Sequence, residues 1–314
     1  MDLVINILTS TVVPIFVLIV LGYAIGSKYE LHLPSLSKFY FNVLMPCYLL
    51  VNLYSAEVTG EMLWVFIFTV VLYLALFVIS TIVGRLKGMT GERLGAFTNS
   101  VMFYNAGNMG VPLITLAFAG SPLQSTAITA QIMVMLFQNT GSISLGIVNV
   151  ARSKVTDLKG LVRRIISMPS IWILPVALAA RYLPFDLRKL SLIWTPATYA
   201  SEALVATALI TLGVQLSQNR GRIKDKAVIL STAMRLVGGP LIAWPIIRLM
   251  GFSGFLAQVL FVSSAAPTAV NTALVAVEFD SEAQYASQTV LLTTAMSAVT
   301  LAHVIFLARL LFPL

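Results

Sequence analysis

The chain has 314 residues, of which 58% are hydrophobic and only 10% charged, whereas about a quarter of the residues in a soluble domain are charged. Apolar stretches recur along the whole chain, and each is long enough to cross roughly 30 Å of hydrocarbon. This excludes a water-soluble globular protein and predicts an all-α integral membrane protein. The net charge of +8 comes from short connectors rather than from a basic stripe with exposed aromatic residues, so nucleic acid is excluded as a partner.

Hydropathy predicts ten transmembrane helices, with the lipid bilayer as the solvent of the whole chain. In chain order they cover residues 4–26, 37–55, 62–84, 94–119, 124–150, 167–183, 191–214, 227–250, 254–278 and 285–312. A short basic connector at 151–166 separates a first half, 1–150, from a second half, 167–314. Each half holds five spans, and an odd number makes the second half enter the membrane in the opposite sense. The pattern therefore predicts two inverted repeats.

Lys and Arg accumulate in cytoplasmic connectors, so their distribution predicts the orientation. Arg85, Lys87 and Arg93 lie in the third connector, and the first, fifth and seventh are also basic. The connectors near 56–61 and 120–124 contain no Lys or Arg, while the sixth and ninth run against the trend. The distribution predicts a basic cytoplasmic connector at 151–166 and places both termini in the periplasm.

The fourth span is predicted to be interrupted near its middle. Asn105, Asn108, Gly110 and Pro112 fall close together in an otherwise apolar stretch. Proline removes a backbone donor and glycine permits other dihedral angles, so the helix should unwind near 107–112 and restart with Pro112 in its first turn. The freed backbone groups must then face protein or a wet cavity.

The ninth span carries a similar interruption at 263–268, where Pro267 and Thr268 precede Asn271. Pro267 is predicted to open the second half-helix. Two antiparallel broken helices can cross near the midplane and direct their positive N-terminal ends at one site, which favours an anionic ligand. The alternative is that each proline only kinks a continuous helix.

These two motifs resemble those of the auxin efflux carrier family, within the larger group that contains the bile acid sodium symporters (the bile/arsenite/riboflavin transporter superfamily). The stretch Asn105-Ala106-Gly107-Asn108-Met109-Gly110-Val111-Pro112-Leu113 is similar to the family's fourth-span pattern. Ala266-Pro267 followed by Glu278-Phe279 is similar to its ninth-span pattern. The resemblance covers essentially the whole chain.

The resemblance implies a scaffold domain from spans 1, 2, 6 and 7 and a transport domain from spans 3–5 and 8–10. It also implies a homodimer and elevator-type alternating access. Carried over to this sequence, Asn105 and the backbone around Pro112 and Pro267 contact the substrate. Plant members have a long cytoplasmic loop where this chain has 151–166. Bacterial relatives instead suggest a dicarboxylate such as malonate or malate.

Two charged residues lie near the centres of predicted spans, where each costs about 2.5 to 3.5 kcal/mol on insertion scales. Glu202 and Arg235 can form a structural ion pair. Alternatively, Arg235 supplies the positive charge for a carboxylate substrate, and Glu202 takes up the coupling proton because burial disfavours its charged form. Tyr199 shares a helical face with Glu202 and is a candidate cavity residue.

Gln131 and Gln138 fall one heptad apart in the fifth span, where they either bond neighbouring helices or line the cavity. The full set of predicted substrate-binding residues is Asn105, Asn108, Gly110, Pro112, Pro267, Thr268, Asn271 and Arg235.

No nucleotide-binding loop, nucleophile elbow or metal-ligand spacing occurs, so we expect no enzyme, ATP-driven pump, metal or cofactor. The predicted function is a secondary active transporter for a small organic anion, a mono- or dicarboxylate, in a bacterial cytoplasmic (inner) membrane. Protons or sodium can drive it. The alternatives are a sodium-coupled organic anion symporter of the bile acid type and a channel.

Overall fold

The computed structural model describes residues 8–55, 60–150, 169–218, 225–279 and 281–313. The predicted basic connector at 151–166 lies outside these ranges. The described residues are predominantly helical, with 85% helix and no strand. This confirms the prediction of an all-α protein.

The α-helices are numbered here in chain order. They are α1 Val13–Lys28, α2 Leu33–Phe39, α3 Met45–Ser55, α4 Glu61–Leu86, α5 Gly91–Met102, α6 Val111–Ala117, α7 Gln124–Val150, α8 Pro169–Ala180, α9 Ser191–Gln218, α10 Lys226–Ala233, α11 Gly239–Leu249, α12 Gly254–Ser264, α13 Val270–Glu278 and α14 Ala283–Leu311. Short π-helical turns precede or join several of them, at Leu8–Val12, Tyr40–Leu44, Ala106–Gly110 and Met234–Gly238.

Four helical stretches in the described part of the chain are long and apolar enough to cross a membrane: Glu61–Leu86, Ser191–Gln218, Lys226–Leu249 and Ala283–Leu311. Val13–Lys28, Ala106–Ala117 and Gly254–Ser264 are shorter apolar helices. Every predicted span overlaps at least one helix, but interruptions divide several spans into shorter pieces. The structure is therefore that of a multi-pass membrane protein, and the count of ten crossings stays a prediction.

Small residues bring α1 and α9 into direct backbone contact. A Cβ atom on Gly22 would overlap the backbone of Ile210, whose Cα would be 2.9 Å away, and one on Gly213 would overlap the carbonyl of Ile19. Gly26, one turn after Gly22, similarly faces α9. Such small-residue seams allow close helix packing where both surfaces are apolar. We call this contact the α1–α9 seam.

The two interrupted helices meet at their breaks, as predicted. Tyr104 and Thr268 form an isolated antiparallel bridge. The N–H of Asn105 donates to the carbonyl of Pro267 at 2.7 Å, and the N–H of Ala269 donates to the carbonyl of Phe103 at 3.0 Å. The breaks therefore satisfy each other's freed backbone groups, and we call this contact the helix crossing.

The positions of the breaks differ from the prediction. The first covers 103–105 instead of 107–112, because the glycine-rich stretch stays helical as the π turn Ala106–Gly110. Its wider turn lets the Gly110 N–H donate to the Asn105 carbonyl at 2.8 Å. The second break covers 265–269, and α13 starts at Val270. Pro267 therefore lies inside the break instead of opening the half-helix, since its carbonyl is used in the crossing.

An ionic cluster joins the starts of α5, α10 and α14. The guanidinium of Arg93 pairs with the carboxylates of Asp225 and Glu282, with 2.7 Å to the latter. The same guanidinium lies 4.2 Å from the ring centroid of Tyr285. Asp225 also caps α10 by accepting the N–H of Ala227 at 2.9 Å. Burial alone would raise the pKa of Asp225, but the hydrogen bonds from Arg93 and Ala227 and the Arg93 charge lower it overall.

The variant Asp225→Asn keeps a capping side chain and removes only the charge, so it should lower the free energy of unfolding by about 1 kcal/mol or less at neutral pH. A lowered carboxyl pKa contributes stability that is fully present above about pH 4 and is lost as the pH falls through the lowered value. The difference in melting temperature from the wild type should therefore shrink in acid. Glu61→Gln, at an exposed residue of α4, is the control, and a difference that persists at the lowest pH would contradict the assignment.

Candidate functional site

Both chain segments that form the helix crossing are buried. Every residue from 101 to 107 and from 261 to 270 is buried. Buried backbone groups outside regular helix need other partners. Side chains from α7 and α14 provide them, so the crossing is held from two sides.

On one side, α7 supplies two glutamines. The N–H of Tyr104 donates to the Gln138 carbonyl oxygen at 3.2 Å, and the Gln131 amide donates to the carbonyl of Ala106 at 2.8 Å. A Cβ atom on Gly110 would overlap the Gln131 amide nitrogen. Of the two alternatives for the glutamines, the structure favours bonding between helices, because both bind the backbone at the break.

On the other side, Thr268 links the crossing to α14 and α5. Its N–H donates to the Thr293 hydroxyl at 3.2 Å, and its own hydroxyl donates to the Ser100 carbonyl at 2.8 Å. Thr268 therefore holds the backbone in place. Ser100 was missed in the sequence because a partner that acts through its carbonyl has no side-chain signature.

Arg235 lies at the centre of this arrangement and is completely buried. Its guanidinium donates to the carbonyl of Val101 at 2.6 Å and to the carbonyl of Ser264. It lies 4.9 Å from the ring centroid of Tyr104. Val101 and Ser264 stand in the last turns of α5 and α12, so one side chain caps the C-terminal ends of both half-helices.

The ion-pair alternative for Glu202 and Arg235 is wrong. Glu202 is exposed on α9, and Arg235 donates to main-chain carbonyls instead. Tyr199, on the same face as Glu202, is 68% exposed and lines neither cavity described below. Hydropathy gives the depth of a residue in a span but not the face on which it lies. The buried residues of α9 are instead 197, 201, 204, 208, 209 and 211–217. A coupling role for Glu202 stays a prediction.

Three asparagines lie near the N-terminal ends of the second half-helices. Asn105 is 5% exposed, and its side-chain nitrogen is buried without a hydrogen-bond partner. Asn108 is half-buried. Asn271 is also half-buried, and it donates to the Ser142 hydroxyl of α7 at 3.2 Å. The unpaired donor makes Asn105 a candidate ligand contact.

Two cavities lie beside the interrupted helices, and neither is lined by a residue of the breaks themselves. One of about 680 Å³ lies between α4 and α5 and is lined by Arg85, Gly95 and Thr98. The other, of about 580 Å³, is lined by Gln258 and Val262 of α12 together with the end of α14. Val262 lies within one helical turn of the second break, whereas Thr98 lies more than one turn before the first. The first cavity lies along α5, mainly at its start, and the second lies beside α12.

The family model described as "Membrane transport protein" matches residues 7–154 and 152–305. The chain belongs to the auxin efflux carrier family. A relative from Methanothermobacter thermautotrophicus, named as an uncharacterized transporter, is 24% identical over 306 residues, which cover 93% of this chain and 96% of that protein. Membership makes this auxin efflux carrier family protein a multi-pass membrane transporter.

Proposed function

We propose that this auxin efflux carrier family protein is a secondary carrier that moves a small organic anion, a mono- or dicarboxylate, by elevator-type alternating access. The observation that carries the proposal is the uneven charge compensation at the helix crossing. Arg235 caps both C-terminal ends. No acidic residue in 94–117 or 254–277 is available to offset the two N-terminal ends.

Helix ends carry roughly half a unit charge each, negative at the C-terminus and positive at the N-terminus. The guanidinium of Arg235 balances the two negative ends of α5 and α12. The two positive ends, at Ala106 and Val270, keep backbone N–H groups without partners inside their own helices. A carboxylate bound between them would complete the balance, and a neutral molecule of the same shape would not.

Neutral amides near those ends suit a ligand that must also be released. The unpaired nitrogen of Asn105 can donate to a carboxylate, while Asn108 and Asn271 lie one turn from it or on the facing half-helix. Hydrogen bonds from neutral groups hold an anion more weakly than a salt bridge does. The ligand can therefore be released rapidly, because no salt bridge to a charged side chain has to break.

Alternating access is supported by the packing of the helices and by the two cavities. Helices α1, α3, α8 and α9, from predicted spans 1, 2, 6 and 7, pack on one another, while α7 and α14 pack on the interrupted helices. The two cavities lie beside different interrupted helices, one along α5 and one beside α12. These features fit a scaffold, a transport domain and inverted five-helix halves. We further propose a homodimer in a bacterial inner membrane.

The site is tested by Asn105→Ala, which should weaken anion binding by about 1.5 to 3 kcal/mol, the range for hydrogen bonds to charged groups. Asn105→Asp should weaken it further, because a negative charge then faces the ligand. The measurement is calorimetric titration of the purified protein with mono- and dicarboxylates and with their neutral amides. Asn52→Ala, on α3 where the amide bonds only its own helix, is the matched control. Equal binding of acids and amides, or unchanged affinity in both Asn105 variants, would refute the site.

The proposed orientation places both termini outside. Single cysteines in a Cys47→Ala background test it, at the exposed residues Pro122 and Lys87. An impermeant thiol reagent added to intact cells should label the cysteine at 122 and spare the one at 87, because basic connectors face the cytoplasm. The opposite labelling pattern would reverse the orientation.

A further inference from the structure

Several carbonyl groups at the C-terminal ends of α5 and α12 meet at the helix crossing, where the last carbonyls of a helix have no partner in their own helix. Most of them are satisfied by neighbours. Ser100 accepts from Thr268, and the carbonyls of Val262 and Ser263 accept the N–H groups that follow α12. Two others, on Val101 and Ser264, receive the guanidinium of Arg235.

The space for this guanidinium is built into the chain. Arg235 is the second residue of the π turn Met234–Gly238, whose extra residue shifts the side chain relative to α10. Gly239 follows directly, and a Cβ atom there would overlap the guanidinium and come within 2.7 Å of the Ser264 carbonyl. The turn and the glycine together create a cradle for a planar cation that contacts two carbonyls at once.

Carriers with broken helices commonly use the unwound carbonyls and C-terminal ends of their half-helices to bind the coupling Na⁺. We infer that Arg235 is a tethered cation that permanently takes this place, so that transport by this protein is independent of sodium. A cation fixed to the chain cannot be bound and released during a transport cycle, so it cannot act as a coupling ion. This conclusion about sodium rests on the proposed carrier function. The sequence leaves protons and sodium open as coupling ions, and the inference excludes sodium.

A tethered cation also fixes the charge of the crossing. With Na⁺ at the carbonyl ends, the positive charge would be lost whenever the ion dissociated. With Arg235 it is constant, and only the substrate or a coupled proton changes the charge of the transport domain. A proton gradient or the substrate gradient itself then remains as the driving force.

The experiment measures the melting temperature of purified protein in detergent, in sodium chloride and in choline chloride of equal ionic strength. The wild type should melt at the same temperature in both. Arg235→Ala should melt lower by roughly 5 to 10 °C, the shift that a loss of a few kcal/mol produces in a chain of this size. A low, non-denaturing concentration of guanidinium chloride should restore part of the loss. Tetramethylammonium, a cation without N–H donors, should restore none.

Arg248→Ala is the matched control, because its guanidinium donates to the Leu311 carbonyl at an exposed end of α11. Guanidinium should not rescue it. If Arg235→Ala yields no folded protein, Arg235→Lys is measured instead. It keeps a tethered cation, so its melting temperature should be the same in sodium chloride and in choline chloride. Sodium-specific stabilisation of the wild type or of Arg235→Lys would overturn the inference. So would an Arg235→Ala variant as stable as the wild type, or rescue by tetramethylammonium as effective as rescue by guanidinium.

Transport is measured separately in proteoliposomes loaded with a carboxylate. Replacing sodium by choline on both sides should leave the rate of counterflow unchanged, and a sodium-dependent rate would overturn the inference. If no carboxylate is transported but the melting pattern holds, the proposed function fails and the assignment of Arg235 as the cation at the carbonyl ends stands.

Discussion

Gly239→Ala is expected to lower the free energy of unfolding by about 3 to 5 kcal/mol, which combines an overpacked core with the loss of a hydrogen bond from a charged group. The added methyl group would occupy the position of the Arg235 guanidinium and approach the Ser264 carbonyl to 2.7 Å. The guanidinium can move aside only by leaving that carbonyl, and the carbonyl itself cannot move without displacing the helix crossing. Unfolding by a denaturing detergent in mixed micelles measures the loss.

The neighbouring glycine provides a control one residue away. A Cβ atom on Gly238 would have its nearest neighbour at 3.9 Å, the Met234 Cβ. Gly238→Ala should therefore be neutral or slightly stabilising, because alanine favours helix over glycine. If Gly238→Ala and Gly239→Ala lowered the free energy of unfolding by similar amounts, the π turn would tolerate no added side chain at either position. The contact with the guanidinium would then not be the cause.

Gly213→Val is expected to destabilise the protein by about 3 kcal/mol or more, at the upper end of the cost of overpacking. A Cβ atom there would overlap the Ile19 carbonyl and lie 2.7 Å from the N–H nitrogen of Tyr23. Both atoms belong to the backbone of α1, so no rotamer change can relieve the clash. The α1–α9 seam should open, and the fraction of protein that elutes as a single folded species in size-exclusion chromatography should fall.

Ala203→Val adds comparable bulk at an exposed position of the same helix, and it should elute and melt as the wild type does. If Gly213→Val also behaved like the wild type, the close approach of α1 and α9 would not be needed for folding.

Much of the fold could be predicted because its causes are local. Proline, glycine and asparagine disfavour continuous helix wherever they cluster, so the interruptions of the fourth and ninth spans follow from the sequence. The limits of each break could not be predicted. They depend on which backbone groups find partners across the crossing, such as Asn105 with Pro267.

The candidate site was predicted less completely, because its main contacts are long-range. Arg235 was recognised as an unusual charge, but its carbonyl partners lie 134 and 29 positions away in the chain. Glu202 is the opposite case. It lies near the middle of its helix, as predicted, but on an exposed face instead of a buried one. Periodicity cannot identify the buried face of a helix that is apolar on nearly all sides.

The α1–α9 seam also limits how this protein could change over time. Where two side chains collide, a second substitution on the partner can restore the fit. At Gly22 and Gly213 the obstacle is main chain, which no substitution in the other helix removes. Selection can therefore alter the residues around the crossing, and with them the ligand, while these two glycines accept almost no variation. New substrate specificities would then arise while the α1–α9 seam stays unchanged.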